Sequence, residues 1–303
     1  MTPQKTYRLG DLAVELLPPR ERACVMTVDV EDWFHNNFRS APRIDAEGLP
    51  RRVEQGVDRL LEFFASVAAR ATFFVLGAVA RHHPGLVSRI AGAGHEIACH
   101  GMDHDLVYRQ SPETFAREMN AARELLRTQS GQPVDGFRAP SWSITGRSLW
   151  ALDRLAEIGF RYDSSVFPAA NYLYGIEGAP TSPYQLRTAS GRTLIEVPPP
   201  ILELGPIRLG VGGGFYLRAL PLWLQRRTMR AYARRRAPFL SYLHPREFDA
   251  GAAHLRLPLS TLEQFLHRFR IRSVPKKIGE LMRGQEWQSI ETMLRRIAPQ
   301  TMS

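Results

Sequence analysis

Short apolar segments alternate with helical patterns over most of this chain, and no other feature of the sequence limits the possible folds as much. Runs of β-branched and apolar residues predict strands, and between them apolar residues recur at helical spacing. The predicted strands are 23–28, 71–76, 96–99, 136–138, one near 162, and 239–244; the predicted helices are 53–70, 83–93, 111–130 and 145–158. Strands that alternate with helices pair in parallel, and a repeat of about thirty residues suits a barrel.

The pattern changes after the predicted strand near Tyr162. Gly, Pro and Tyr are frequent between residues 171 and 214, so we predict loops and irregular β-structure there. An arginine-rich helix and the last predicted strand follow. Beyond about residue 250 the chain is polar and favours helix, most clearly at 262–270 and 276–282. This tail is too short to fold alone, so we predict that it packs on the main domain.

The chain is strongly basic, with a formal net charge of +10, and its arginines are densest between residues 224 and 236. This segment predicts either a solvated helix face or peripheral contact with an anionic membrane surface or glycan. No nucleic-acid-binding motif accompanies the charge, so nucleic acid is not an expected partner. Because the first residues lack the apolar core of a signal peptide, we expect a cytoplasmic protein, either free or at the periphery of the inner membrane.

Two histidines, His100 and His104, directly follow one predicted strand, and an acidic cluster ends another. The cluster contains Asp29, Glu31 and Asp32. The carboxyl ends of parallel strands meet at one edge of an α/β fold, where functional sites lie. Two imidazoles and one carboxylate would make a metal site with an open coordination position, which is typical of catalysis. The alternative is a pair of loop histidines with local hydrogen bonds.

Five segments, taken in order, resemble the motifs of the polysaccharide deacetylases, also known as the NodB-homology group or carbohydrate esterase family 4. The segments are 27–32, 100–104, 138–142, 162–165 and 240–244. All five in order are far more specific than any one of them. The resemblance implies an α/β fold, a distorted (β/α) barrel of about seven parallel strands over residues 22–250. Residues 251–303 would form a short helical C-terminal extension packed on the barrel.

The resemblance implies catalytic roles for three residues. Asp29 would be the general base, Arg138 would pair with it, and His244 would protonate the leaving amine as general acid. The alternatives are an ordinary salt bridge at Arg138 and a strand-end histidine bonded to backbone at His244. His100 and His104 would bind a divalent metal ion, with zinc (Zn²⁺) as the first candidate.

The third and fourth segments are predicted to bind substrate. Pro140, Ser141 and Trp142 would line the groove, with Trp142 as the first candidate for stacking on a sugar ring. Asp163 would orient a catalytic group, or it would form a turn before two serines. Other aromatic residues that could stack on sugars are Trp33, Phe34, Phe137, Tyr172 and Tyr174.

Two positions depart from the commonest form of the family motifs. The first motif usually has adjacent aspartates, whereas here Glu31 and Asp32 are both candidate metal ligands. Glu31 lies two residues after Asp29, on the same strand face, while Asp32 keeps the usual residue type. The choice between them stays open. Gly101 stands where Ser or Thr is common, which concerns the geometry of the loop and not metal binding.

Segments 212–218 and 242–249 resemble a subgroup found with exosortase-linked exopolysaccharide clusters. The resemblance implies a metal-dependent N-deacetylase of an N-acetylhexosamine-containing polysaccharide or its lipid-linked precursor, in exopolysaccharide biosynthesis. A deformylase of lipid-linked amino sugars and a metal-free, allantoinase-like cyclic amidohydrolase are alternatives on the same fold. A catalytically silent glycan-binding protein is an alternative of another class, and the intact set of predicted catalytic and metal-binding residues argues against it.

Overall fold

A parallel sheet forms the centre of the fold in the computed structural model, which describes residues 7–9, 12–18, 22–38, 48–169, 173–188, 190–205 and 207–302. The strands in these ranges are β1 (Tyr7–Leu9), β2 (Leu12–Leu16), β3 (Cys24–Val30), β4 (Thr72–Val75), β5 (Glu96–Cys99), β6 (Gly136–Phe137), β7 (Tyr162–Asp163), β8 (Tyr184–Arg187), β9 (Thr193–Glu196), β10 (Ile201–Leu204), β11 (Ile207–Gly210), β12 (Phe239–Leu243) and β13 (Trp287–Gln288). Strands β9, β7, β6, β5, β4, β3 and β12 pair in parallel in this order. The predicted α/β fold with a distorted barrel is confirmed.

Helices follow most of the parallel strands and cover the outer face of the sheet. They are α1 (Val53–Ser66), α2 (Gly77–His82), α3 (Pro84–Gly92), α4 (Pro112–Ser130), α5 (Trp150–Ile158), α6 (Gly214–Ala219), α7 (Leu222–Arg234), α8 (Thr261–Arg268), α9 (Val274–Met282) and α10 (Ile290–Ile297). The Ser111 hydroxyl accepts the Thr114 N–H at 3.2 Å and caps α4, as the sequence predicts. Among the described helices, none is long and apolar enough to cross a membrane.

The inside of the barrel is filled by alternate side chains of the parallel strands. The buried strand residues of this inner cluster are Val25, Phe74, Ala98, Tyr162, Ile195, Leu240 and Tyr242. Helix α10 adds Ile290, Met293, Leu294 and Ile297 to the same cluster. Its first residues bond to the amino ends of β4 and β5, because the Ile290 N–H donates to Thr72 and the Glu291 N–H donates to Glu96. The C-terminal helix therefore closes the barrel at the amino ends of the strands.

The predicted C-terminal extension takes part in the sheet as well as packing on it. Strand β13 pairs in parallel with the first residues of β3. Sequence reasoning missed both β13 and α10, because a two-residue strand and a two-turn helix have little periodicity of their own. The division of the chain at residue 250 remains a prediction.

Residues between β7 and α6 form more regular structure than the sequence suggests. Strands β2, β8 and β9 make an antiparallel ladder that continues the sheet, and β10 and β11 form a separate hairpin. The partner of β8 lies about 170 residues earlier in the chain. Pairing between strands so far apart in the chain leaves no signal in the local sequence pattern. The sequence therefore predicts only loops and irregular β-structure in this region.

Candidate active site

The predicted metal ligands lie on two loops at the carboxyl ends of β3 and β5. Glu31 directly follows β3, and His100 directly follows β5, which lies two strands away. The loop after β5 turns sharply: Gly101 has a φ of 97° and His104 a φ of 64°. A positive φ of this kind favours glycine, which accounts for Gly101 in place of Ser or Thr.

Glu31, His100 and His104 form a buried cluster that can hold a metal ion. One donor atom from each residue lies within 4.8 Å of the other two. The His104 Nε2 is 2.7 Å from the Glu31 Oε2, and the His100 Nε2 is 3.8 Å from the same oxygen. Burial by itself would raise the pKa of Glu31. The nearby His104, His100 and His244 outweigh burial and hold this pKa well below its ordinary value. Two imidazoles and a carboxylate are the donor set of many catalytic zinc sites, so the residues fit a divalent ion.

A hydrogen bond to a backbone carbonyl group fixes the orientation of His100. Its Nδ1 lies 2.8 Å from the Arg138 carbonyl oxygen, and only a protonated Nδ1 can donate to that oxygen. The Nε2, which points to Glu31, is then the nitrogen with a free lone pair. Metal-binding histidines commonly have their second nitrogen held in this way. The contact at His104 runs the other way, because the Asn37 amide nitrogen lies 3.2 Å from its Nδ1 and an amide N–H can only donate.

Asp32, the alternative candidate ligand, lies outside this cluster. Its carboxylate accepts the N–H groups of Trp33, Arg52 and Val53 at 2.9, 2.9 and 3.3 Å. Two of these groups belong to the beginning of α1, whose first N–H groups have no partner within the helix. Asp32 therefore caps a helix, and the structure brings Glu31, not Asp32, to the two histidines.

Asp29 and Arg138 form a buried ion pair beside the cluster. The Arg138 Nη1 donates to the Asp29 Oδ1 at 2.7 Å and to the Thr27 hydroxyl at 2.9 Å. Arg138 is completely buried, and its guanidinium lies 4.1 Å from the centroid of the Phe74 ring. Because Arg138 has these fixed partners, it holds the Asp29 carboxylate in one place. Among the described residues, the second oxygen of Asp29 accepts no hydrogen bond.

His244 lies at the end of β12, across Glu31 from the histidine pair. Its Nε2 is 3.6 Å from the Glu31 Oε1, and its Nδ1 is 3.5 Å from the Glu247 Oε2. Burial opposes the charge of His244, but Glu247 and Glu31 outweigh this effect and raise its pKa. The Glu247 carboxylate also accepts the backbone N–H of His244 at 2.9 Å. Glu247 was missed in the sequence, although its position three residues after a candidate catalytic histidine is a usable signal.

His35 also lies at the site and was missed in the sequence. Its Nδ1 accepts the Asp32 N–H at 2.8 Å, so the neutral ring carries its proton on Nε2. Burial lowers the pKa of His35 to about 3 and keeps the ring neutral. The ring lies 5.6 Å from that of His104. A histidine three residues after an acidic motif could have been included in the candidate set.

Trp142 does not offer a face to a sugar ring. It is 7% exposed, and its ring centroid lies 4.6 Å from that of Tyr242 and 5.5 Å from that of Phe167. Ser141 and Trp142 both have positive φ angles, near 50°, and this tight turn directs the indole inward. The Ser141 hydroxyl instead lies at the site and accepts a hydrogen bond from Asn37 at 3.1 Å.

The other residues predicted to bind substrate lie in several places. Pro140 packs near Gly101 on the loop that follows β5. Trp33, Phe34 and Phe137 are buried, Tyr174 packs against the Trp142 ring, and Tyr172 lies outside the described residues.

Asp163 is fully buried and is not directed toward the metal cluster. Its carboxylate accepts the Ser165 hydroxyl at 2.5 Å and the Ser165 N–H at 3.2 Å, and burial raises its pKa. The same hydroxyl accepts the Ala139 N–H at 2.8 Å. Asp163 is thus placed to hold the Arg138 loop through Ser165, as the turn-forming alternative suggested, and not to contact substrate.

Comparison with known sequences supplies the family. Residues 45–162 match the sequence model described as "Polysaccharide deacetylase". Through this segment the chain is similar to the polysaccharide deacetylase family. The resemblance drawn from the five motifs is confirmed. Residues 164–295 match a second model, described as a domain of unknown function (DUF3473). The deacetylase segment contains His100, His104 and Arg138, while His244 lies in the second segment.

Individual relatives agree with this similarity. A Helicobacter pylori peptidoglycan deacetylase is 27% identical over 113 residues, which are 37% of this chain and 38% of that protein. The chain spans about two fifths of the length of the first curated deacetylases it matches.

Solved structures support the fold alone. A Mycobacterium smegmatis structure assigned as a polysaccharide deacetylase is 21% identical, with a TM-score of 0.63, and covers 100% of this chain and 96% of its own. The structure of Puue allantoinase is 16% identical, with a TM-score of 0.55, and 92% of each chain is covered.

Proposed function

We propose that this protein is a metal-dependent N-deacetylase. Its substrate would be an N-acetylhexosamine-containing polysaccharide or the lipid-linked precursor of one, in exopolysaccharide biosynthesis. The observation that carries the proposal is the convergence of three groups on one edge of the sheet. These groups are the Glu31–His100–His104 cluster, the Asp29–Arg138 pair and His244.

Glu31, His100 and His104 would hold a divalent ion, with zinc as the first candidate. When bound, such an ion supplies Lewis acidity, which polarises a carbonyl oxygen and lowers the pKa of a water. The protein contributes the rigidity of the ligands, because the Arg138 carbonyl holds His100 and the Asn37 side chain contacts His104.

Asp29 would take the proton from the attacking water as general base. A carboxylate can act as a base only while it is ionised and has a free lone pair. Arg138 contacts one oxygen of Asp29 at 2.7 Å and leaves the other oxygen available. Because the guanidinium is itself fixed by Thr27 and Ser164, this arrangement needs little reorganisation during the reaction.

His244 would give a proton to the nitrogen of the departing amine. An amide nitrogen is a poor leaving group without protonation, so an acid on the far side of the reacting carbon is needed. Glu247 and Glu31 raise the pKa of His244, which favours the protonated form that an acid requires. Glu247 contacts the His244 Nδ1, so the Nε2–H is the group that faces the site.

The choice of substrate class rests on the family and on the buried polar site. The H. pylori relative is named a peptidoglycan deacetylase, and an N-acetylated amino sugar is the group that such a reaction requires. The Glu31–His100–His104 cluster favours this reaction over a metal-free cyclic amidohydrolase. A cytoplasmic location at the periphery of the inner membrane remains a prediction from the sequence.

The test is metal content together with acetate release from N-acetylglucosamine oligomers. We expect about one zinc ion per wild-type chain, and we expect His100→Ala to lose metal and acetate release together, by at least about a hundredfold. His82→Ala, which changes an exposed histidine, is the matched control and should keep both.

Other results have distinct meanings. Metal without acetate release would direct the search to formylated or lipid-linked amino sugars. A wild-type chain that binds no metal after zinc is supplied contradicts the proposal and favours a metal-free amidohydrolase or a silent glycan-binding protein.

A further inference from the structure

One face of α8 carries apolar side chains toward solvent. The face consists of Leu262, Phe265, Leu266 and, just past the end of the helix, Phe269. Their spacing is that of an amphipathic helix, which normally turns such a face toward the protein core. Here Leu262 is 67% exposed and Phe265 is 54% exposed, while Leu266 and Phe269 are half-buried. We call these four residues the apolar face of α8.

Polar residues are buried on another side of the same helix. Glu263 is 8% exposed and His267 is 5% exposed, and this buried side is rotated from the apolar face by roughly a third of a turn. The Ser260 hydroxyl donates to the Glu263 carboxylate at 2.7 Å. The His267 ring packs 6.2 Å from that of Phe38, on the loop that follows β3. The helix therefore rests on the protein through its polar side.

Arg218 fixes α8 in this orientation. Its guanidinium, which is 3% exposed, donates to the carbonyl oxygens at the end of α8: Leu266 at 3.1 Å, His267 at 3.1 Å and Phe269 at 2.8 Å. These carbonyl groups have no partner inside the helix, and a buried cation is well suited to them. The anchor is polar and buried, so most of the apolar face stays outward. Its last residue, Phe269, packs against Phe215 with 6.0 Å between the ring centroids.

Arginines surround the apolar face. An open depression of about 930 Å³ lies beside it, lined by Phe265 and Phe269 and by the basic residues His254, Arg256, Arg268, Arg270 and Arg272. None of its lining residues is acidic. Among the described residues, no carboxylate forms an ion pair with Arg256, Arg270 or Arg272. The surface is thus both apolar and uniformly positive.

We infer that the apolar face of α8 and its arginine rim dock the protein on a membrane surface that contains anionic lipids. An interfacial helix of this kind inserts its apolar side chains at the boundary of headgroups and acyl chains. The arginines meet the negative headgroups, each contributing about a fivefold gain in partitioning. Charge complementarity with an anionic bilayer is what selects this occupant over a neutral apolar partner. The inference concerns where the protein works and does not depend on the reaction.

Helix α7, which carries the arginine-rich segment, is the rival surface. Its exposed apolar residue is Trp223, 66% exposed, while the neighbouring Leu222 and Leu224 are half-buried. Arg235, just past the helix, pairs with Glu203 at 3.4 Å. A single exposed tryptophan can insert less apolar surface into a bilayer than the apolar face of α8 can. We therefore place the docking surface on α8.

The test is co-sedimentation of the full chain with phosphatidylcholine vesicles, with and without phosphatidylglycerol. The wild type should bind the anionic vesicles and bind neutral ones weakly. Leu262→Ser with Phe265→Ser should weaken binding by about tenfold or more, and Arg256→Gln with Arg272→Gln should weaken it on anionic vesicles alone. Trp223→Ser with Arg230→Gln on α7 is the matched control and should bind as the wild type does.

Four results would overturn the inference. Two concern the wild type: no binding to either kind of vesicle, or equal binding to both. The third is loss of vesicle binding in the α7 variant but not in the α8 variants. The fourth is that the wild type forms a dimer and binds no vesicles, and that the Leu262–Phe265 variant loses the dimer. The last result would make the face a contact between two copies of the chain. An unchanged thermal midpoint shows that the variants are folded, and the arginine variant tests the surface independently of the apolar one.

Discussion

Glu31 and Glu96 are both buried glutamates, but they lie at opposite ends of the parallel strands and have different partners. Glu31, at the carboxyl ends, is surrounded by His100, His104 and His244 at 2.7 to 3.8 Å. Glu96, at the amino ends, accepts the Tyr162 hydroxyl at 2.5 Å, a Thr72 hydroxyl at 2.5 Å and the Glu291 N–H at 2.9 Å.

The pKa values of the two glutamates move in opposite directions. Burial raises the pKa of Glu96 to about 7, because its partners are neutral. Burial acts on Glu31 as well, but its titratable neighbours outweigh it and lower the pKa. Burial of a carboxylate therefore does not indicate function by itself. Here the glutamate surrounded by histidines belongs to the candidate site, and the glutamate satisfied by hydroxyls and a backbone N–H holds the fold together.

Asp29 gives the largest expected effect. Replacing it by asparagine removes the proposed base, so acetate release should fall by about a thousandfold while bound metal is retained. Kinetic measurement of kcat/KM alongside metal content checks this. Asp103→Asn changes an exposed carboxylate and should leave the rate unchanged. Activity of Asp29→Asn within about tenfold of wild type would remove Asp29 from the catalytic role.

Glu96 should affect stability through pH. Its folded pKa, about 7, lies above the ordinary 4.5, so between these values the folded state keeps a proton that the unfolded state releases. The contribution of Glu96 is complete below about pH 4.5 and is lost as pH rises to 7, by roughly 3 kcal/mol. Glu96→Gln should remove this dependence in urea unfolding measured across that range. A constant difference between the two proteins would contradict the assignment, and Glu286→Gln, at an exposed position, is the control.

Asp32 has the smallest expected effect and sharpens the comparison most. It lies at the carboxyl ends of the strands, close to the candidate site. Its partners are nevertheless backbone N–H groups, as the Glu291 N–H is for Glu96. Asp32→Ala should cost about 1 kcal/mol of unfolding free energy and keep the metal, whereas Glu31→Ala should lose the metal. Ser111→Ala removes a similar helix cap far from the site and should match the loss of stability. Metal loss in Asp32→Ala would show that the carboxylate moves to the ion.

Much of the site was predictable because its chemistry depends on residue types that follow strands. His100, His104, Asp29 and His244 lie at the ends of parallel strands, where such a fold places functional groups, and the structure brings them to one edge. Gly101 was noted as a departure, and its positive φ supplies the reason. His35 and Glu247 were missed, because only proximity in space shows that they touch the predicted residues.

Other positions could not be assigned from pattern. Trp142 follows the motif that suggested sugar stacking, but a turn with positive φ directs the indole into the core. Asp163 could form a turn or orient a catalytic group, and the structure shows it buried against Ser165. Aromatic rings and carboxylates look alike in a sequence whether they face a groove or a core, because their neighbours come from distant strands.

The sequence by itself determined the alternating α/β architecture, the candidate metal-binding histidines and the family resemblance, because these depend on local periodicity and on motifs in order. Only the tertiary structure decided which acidic residue meets the histidines and why α8 turns its apolar face outward. Both depend on contacts across the chain: the first N–H groups of α1 occupy Asp32, and Arg218 and the loop after β3 hold α8 by its polar side. Periodicity predicts that a helix has an apolar face, but packing decides where that face points.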